Sequence, residues 1–201
     1  RVDRRQRQMC IRDSSFSPNT VSAVNKAMRM TGIIFRSLRH SSEATLTKAF
    51  LCYARPHLEF ASPLWNCLSA TDSNAIERVQ RYFSRRVFKR FGLAPRPYPQ
   101  RLERLGLTPL AERRDQIDLS FVHSVFKREH HCPVLNFEAP TGRYSLRRKS
   151  KLVPDSRAGR YRKKVLCNRV ARKWNLIQPA VQNLSRKSFK LRMIDSCLLY
   201  T

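Results

Sequence analysis

Apolar positions recur at helical spacing through most of the chain. Over 18–40, Val21, Val24, Ala27, Met28 and Ile34 form a loose stripe, and Pro18 suits the opening turn. Gly32 interrupts this stripe and leaves its end open. Ser41 and Ser42 are cap residues for a second helix, on which Leu46, Ala49, Phe50 and Tyr53 fall at i, i+3, i+4 and i+7. Pro56 disfavours helical backbone at Arg55, so this helix is expected to stop there. Residues 56–72 then read as a compact connection, pinned to the core by Phe60, Leu64 and Trp65. Asp72 or Ser73 is expected to cap a third helix over 74–91, with Ile76, Val79, Phe83 and Val87 on its buried side.

Pro95, Pro97 and Pro99 stiffen a linker over 93–99. A short helix through Arg101 to Leu105 is closed by Gly106, and Thr108 with Pro109 opens the next, over 109–128. That helix carries two apolar lines. Leu110, Arg114, Ile117, Phe121 and Val125 form one, and Leu119, Val122 and Phe126 the other. Apolar on two sides, it is expected to be central. Residues 129–160 lose periodicity and read as a basic linker. A last unit over 161–178 places Leu166, Val170, Trp174 and Ile177 on one face, surrounded by Arg162, Lys163, Lys164, Arg169, Arg172 and Lys173. Pro179 ends it, and a short helix from Ser185 through Met193 follows, anchored by Phe189. No strand of any length is expected. The pattern therefore predicts a mainly α, bundle-like fold with basic loops and no substantial sheet. Its segments are a helical region over 15–128, the linker 129–160 and a C-terminal helical segment 161–195.

Charge changes this picture most. The 201 residues include 41 Lys and Arg against 14 Asp and Glu, a formal charge of +27. Such an excess repels itself in compact form and is relieved by a polyanion. Nucleic acid ranks first as that partner, with an anionic membrane surface behind it; no membrane partner is expected. Hydrophobic residues make up 41% of the chain, too many for a wholly disordered tail. No apolar run approaches the ~20 residues of a membrane span, and the charged first dozen residues do not read as a signal peptide. A nuclear or cytoplasmic ribonucleoprotein location is expected rather than secretion, and the six cysteines are expected to be reduced thiols. The chain starts at Arg1 without an initiator Met and reads as a fragment. Residues 1–14 and 196–201 resemble translated sequencing-adapter read-through and are set aside as non-native.

Candidate chemistry is mostly binding chemistry. Polymerase-type catalysis needs paired carboxylates to hold two metal ions. The chain has no Asp-Asp pair, and Asp115 and Asp118, flanked by Arg113 and Arg114, read as salt-bridge partners. Arg114 and Asp118 have i, i+4 spacing. His130-His131-Cys132 hints at a zinc knuckle, but no C-x-x-C pair completes it. No catalytic residue, metal site or cofactor is assigned. What remains is basic residues interleaved with aromatics, which suits phosphate contact plus stacking. The candidates on the third helix are Arg78, Arg81, Arg85, Arg86, Lys89 and Arg90, with Tyr82 and Phe83 among them. Basic-loop candidates are Arg147, Arg148, Lys149 and Lys151, which also suit a nuclear localisation signal; Arg162, Lys163 and Lys164 complete the set.

Several short blocks resemble the reverse transcriptases of non-LTR retrotransposons of the jockey-like type. Lys26-Ala27 with Gly32-Ile33-Ile34-Phe35-Arg36-Ser37 is similar to a Gly-Phe-Ile-x-Arg signature. Arg55-Pro56-His57-Leu58-Glu59-Phe60 with Trp65 resembles R-P-x-L-E-Y and its following Trp. Glu77-Arg78-Val79-Gln80-Arg81, with Phe83 and Arg85, resembles E-x-V-Q-R-x-F-x-R. Arg101-Leu102-Glu103-Arg104-Leu105-Gly106-Leu107, then Leu110 and Arg113-Arg114, is similar to R-L-x-x-L-x-L-x-x-L-x-x-R-R. Arg169 to Asn175, with Phe189-Lys190, resembles a terminal R-x-x-x-x-W-N and F-K. The resemblance covers most of 16–193 in pieces. It implies the thumb and C-terminal region of an RNA-directed DNA polymerase, holding template RNA and nascent DNA. The palm and fingers of the parent polymerase would be its partners, and Mg would belong to the palm, which is missing here. Two other readings stay open: a free-standing basic RNA-binding adaptor, and a decayed transposon copy with no cellular role. An Asp-Asp motif upstream in the same reading frame favours the polymerase. A nearby start codon without that motif favours the adaptor, and upstream stop codons favour the decayed copy.

Overall fold

The computed structural model describes residues 17–66, 68–132, 135, 137–138, 151–154 and 166–195. The chain is mainly helical and divides into two compact units. The first comprises 1–61 and 68–111, the second 62–67 and 112–201.

In the first unit, α1 (Ser17–Ser37) runs unbroken through Gly32, and its buried stripe is Thr20, Val24, Ala27, Thr31, Ile34 and Phe35. Gly32 costs helix stability, but nothing crowds the space where a side chain would lie. Ser42 caps α2 (Glu43–Ala49), its Oγ accepting the Thr45 amide at 3.2 Å. The helix does not stop at Arg55. It passes through a π-helical segment, Phe50–Ala54, into α3 (Arg55–Glu59), with Arg55 in helical conformation. In an unbroken α-helix the Pro56 ring would press on the Cys52 carbonyl and leave it without a donor. The wider turn, in which the Arg55 amide bonds the Phe50 carbonyl, relieves that conflict. It also shifts the buried register by one residue: Ala54 is buried, while Tyr53 is turned outward.

The connection that follows is helical too, and this reassigns its apolar anchors. Leu58 is the buried residue of α3, whereas Phe60, two positions further round, is 80% exposed. The next turn, α4 (Ser62–Trp65), belongs to the second unit; there Trp65 is buried and Leu64 is exposed.

Helix α5 (Ala70–Arg90) starts four residues before the expected 74. Ser69, not Asp72 or Ser73, is its cap: its Oγ accepts the Asp72 amide at 3.1 Å. Asp72 sits at the third helical position, and its carboxylate accepts the hydroxyls of Ser69 and of Ser17, each at 2.8 Å. Ile76, Val79, Phe83 and Val87 are all fully buried, as the periodicity predicts. Phe83 stacks on Phe50 with ring centres 4.2 Å apart and lies 5.7 Å from Phe35, tying α5 to the π segment and to α1. Helix α6 (Tyr98–Leu105) ends at Gly106, whose left-handed backbone (φ 61°) turns the chain. Leu102, Leu105 and Leu107 are buried behind it.

Helix α7 (Leu110–Phe126) is the spine of the second unit from Glu112 onward. Val122 joins a core with Leu152, Cys167, Val170, Ala171, Trp174, Ile177, Phe189 and Met193. Helix α8 (Leu166–Leu176) supplies the centre of it, α9 (Pro179–Gln182) follows with Pro179 in its first turn, and α10 (Arg186–Asp195) brings in Phe189. The segment read as a basic linker contributes to this core. Its strands β1 (Phe137–Glu138) and β2 (Lys151–Leu152) form a two-residue antiparallel ladder pairing Phe137 with Leu152. Leu152 is fully buried, and the Asn175 side-chain amide bonds both its amide and its carbonyl, at 2.9 and 3.1 Å. Asn175 thereby does for Leu152 what a neighbouring strand would do.

Arg169 is not part of a basic surround. Its Nε donates to the buried Asp118 carboxylate at 3.0 Å and its Nη2 to the Pro63 carbonyl at 2.7 Å. Asn66 donates to Asp118 at 2.8 Å and accepts from Arg114 Nε at 3.0 Å, which fastens α4 to α7 and α8. Asp115 pairs with Lys173. Both carboxylates therefore serve ion pairs, as expected, and in these pairs the partners are Arg169 and Lys173 of α8 rather than neighbours in sequence.

Candidate nucleic-acid interface

The cationic face of α5 follows from the helix itself. Successive residues turn by about 100°, so Arg78, Arg85 and Lys89 fall within about 20° of one line. Arg81 flanks that line on one side and Arg86 and Arg90 on the other. Arg78, Arg81, Arg85, Arg86 and Lys89 are exposed, whereas Arg90 falls on the line of Val79 and Phe83 and is half-buried at the end of the helix. The buried stripe thus forces the cations outward into one fan.

Other elements furnish that fan. Phe35 near the end of α1, with Tyr82, Arg85, Arg86, Lys89 and Arg90, lines an open groove of about 690 Å³. The Arg86 guanidinium lies 4.8 Å from the Phe35 ring centre and 5.7 Å from that of Tyr82, and also donates to the Tyr82 hydroxyl. Arg90 lies 5.9 Å from Phe35 and donates to the Arg39 carbonyl. On the opposite flank, Arg81 and Arg101 lie 5.2 and 5.6 Å from the Tyr98 ring centre. Contacts of this kind hold a guanidinium in place without neutralising it. Burial, and then the charge of Arg85, push Arg101 below its ordinary value. Positive charge is crowded there, a condition that a bound anion relieves.

A buried polar frame sets Tyr98 beneath this face. Glu77 accepts the Tyr98 hydroxyl and the Leu110 amide, the latter at 3.0 Å. Gln80 donates to the Thr108 carbonyl at 2.9 Å and to the Tyr98 oxygen at 3.2 Å. Burial, reinforced by the bond to Glu77, raises the Tyr98 hydroxyl well above the usual phenol range. Tyr98 therefore stays neutral and adds no negative charge beside Arg81 and Arg101.

Five of the thirteen basic candidates thus stand exposed on α5, and Arg90 joins them at the groove from the half-buried end of the helix. Lys151 is exposed on β2, apart from that face in sequence. Arg147, Arg148, Lys149, Arg162, Lys163 and Lys164 lie outside the described residues. Phe35, Tyr98 and Arg101 escape a reading of α5 alone, because they arrive from α1 and α6. Among the described residues no group of His, Cys, Asp or Glu is arranged to hold a metal ion. Cys52, Cys132 and Cys167 are free thiols. No described helix is long and apolar enough to cross a membrane. No protein-family model matches the chain, and neither does a curated protein or a solved structure.

Proposed function

We propose that this chain binds the sugar-phosphate backbone of nucleic acid through the cationic face of α5. We further propose that it is the thumb and C-terminal portion of an RNA-directed DNA polymerase of the non-LTR retrotransposon type, gripping template RNA and nascent DNA. One observation carries the binding reading: six cations fan from one helix beside an open groove with Phe35 and Tyr82 in its wall. Guanidinium and ammonium groups at one-turn spacing can neutralise successive phosphates, and the half-buried Tyr82 ring offers a stacking surface. The polymerase reading rests on the ordered sequence blocks, and the chemistry of nucleotide addition belongs to a palm outside this chain.

The test is fluorescence anisotropy with a labelled single-stranded RNA and a primer–template duplex. If about five phosphates are neutralised, log affinity falls with log salt at a slope of roughly −3.5 to −4.5, depending on strandedness. The Arg85→Glu/Lys89→Glu double variant loses about two units of that slope and weakens all sequences alike. Both positions are exposed, so circular dichroism is expected to stay that of the wild type. A folded double variant that binds like the wild type would overturn the interface.

A further inference from the structure

The second unit holds a separate cavity that the cationic face of α5 does not use. It measures about 300 Å³, at the lower end of the range for small-molecule sites. Its apolar wall comes from Pro63, Ile117, Phe121 and Met193, and its cations are Arg113, Arg186 and Lys190. Ser120, Ser124 and His130 add hydroxyl and imidazole groups. The cations approach from two helices, Arg113 from α7 and Arg186 and Lys190 from α10. They have different local partners: Arg113 bonds the Gln116 side-chain oxygen at 3.4 Å, and Arg186 pairs with Glu129 at 3.2 Å. Phe121 and His130 lie nearly parallel, with a 13° tilt and ring centres 6.5 Å apart. Both rings line the same cavity as the cations, and each presents a planar group to it.

We propose that this cavity binds a nucleotide, with the base against Phe121 and the Ile117–Met193 wall and the phosphate at Arg113, Arg186 and Lys190. A flat apolar wall beside clustered cations suits a ligand that is planar and apolar at one end and anionic at the other. Ser120 and His130 supply hydrogen-bonding groups of the kind that read base edges, whereas the buried Ser124 hydroxyl already donates to the Phe121 carbonyl at 2.7 Å. The same chemistry is offered by a free mononucleotide and by the 5′-phosphorylated end of a strand. An acidic peptide would use the cations but not the planar wall.

Calorimetry on the full chain with AMP, inorganic phosphate, a 5′-phosphorylated trinucleotide and a tetraglutamate peptide tests this at low salt. AMP is expected to bind saturably and about tenfold more tightly than phosphate, a difference of about 1.4 kcal/mol that one stacked base supplies. A tighter trinucleotide assigns the site to strand ends; equal or weaker binding assigns it to mononucleotides. Lys190→Glu, at an exposed position, is expected to weaken AMP about tenfold or more. Ser120→Trp, which fills the cavity, is expected to abolish it. Arg85→Glu/Lys89→Glu leaves AMP binding intact while reducing strand binding, so failure of one site is distinguishable from failure of the other. The proposal is overturned if AMP does not saturate, if phosphate or tetraglutamate matches AMP, or if folded Lys190→Glu binds AMP as the wild type does.

Discussion

Glu77, Gln80 and His123 are polar side chains that the fold has taken out of water. On α5, Gln80 falls within about 40° of Ile76, in the middle of the apolar stripe, and is fully buried. A polar residue at such a position must find partners, because an unpaired buried amide costs about 1–3 kcal/mol. That much is legible from spacing. The partners themselves, Thr108 and Tyr98, are 28 and 18 residues away and are not. His123 gives a pH-dependent consequence. Its Nε2 lies 3.1 Å from the Leu184 carbonyl, its ring stacks on Phe189, and Lys127 and Glu129 act on it with opposite signs. Burial dominates and holds its imidazole below the ordinary value. The folded chain therefore resists protonation, while the unfolded chain takes up a proton near pH ~6.5. The stability that this neutral ring contributes is complete above that pH and is lost as pH falls from there towards the depressed folded value. Urea midpoints compared at about pH 7.5 and about pH 5.5 should fall more for the wild type than for His123→Phe. Equal losses in both chains would refute this account.

At the scale of elements, glycine separates helix interior from helix end. Gly32 lies inside α1 and Gly106 terminates α6 at φ 61°; neither has an atom within 4 Å of where a Cβ would sit. The same substitution should act with opposite signs. Gly32→Ala is expected to stabilise by about 0.5–1 kcal/mol, because it removes only unfolded-state freedom. Gly106→Ala is expected to destabilise by about 1–2 kcal/mol, the cost of a left-handed residue with a side chain. Chemical denaturation of both variants checks the signs. The period of the apolar stripe made most helices readable, and Gly106 is an end signal that a single residue carries. The run through Pro56 was not readable, since a proline inside a helical pattern ordinarily ends it. Only the packing of Phe50, Ala54 and Leu58 into one core makes a π turn preferable to a stop. Ser69 escaped as the cap of α5 because Asp72, three residues on, is itself a good cap residue and serves instead as the return partner.

At the scale of the whole molecule, charge dominates. With a formal charge of +27, the compact state carries self-repulsion that ions relieve. The melting temperature is expected to rise between about 10 mM and about 150 mM salt, over which the screening length shortens from roughly 30 to 8 Å. A polyanion such as poly(U) should raise it further at low salt, by binding the folded chain. A melting temperature indifferent to both, measured by circular dichroism, would remove charge repulsion as a factor in this fold.

The sequence by itself determined the helical class, the buried stripes of α5 and α8, and the cationic face of α5, because helical periodicity and net charge are local sums over neighbouring residues; on α1 it placed Val24, Ala27 and Ile34 correctly but also Val21, which is exposed. It could not determine which cations stay in solvent. Arg169 and Arg85 are alike in sequence, yet one is held by the buried Asp118 and the other lines an open groove. Nor could it bring Phe35 and Tyr98 to the flanks of α5 or fold Phe137 and Leu152 into the core around Trp174. Those pairings join residues tens of positions apart, and only the burial of the intervening faces selects them.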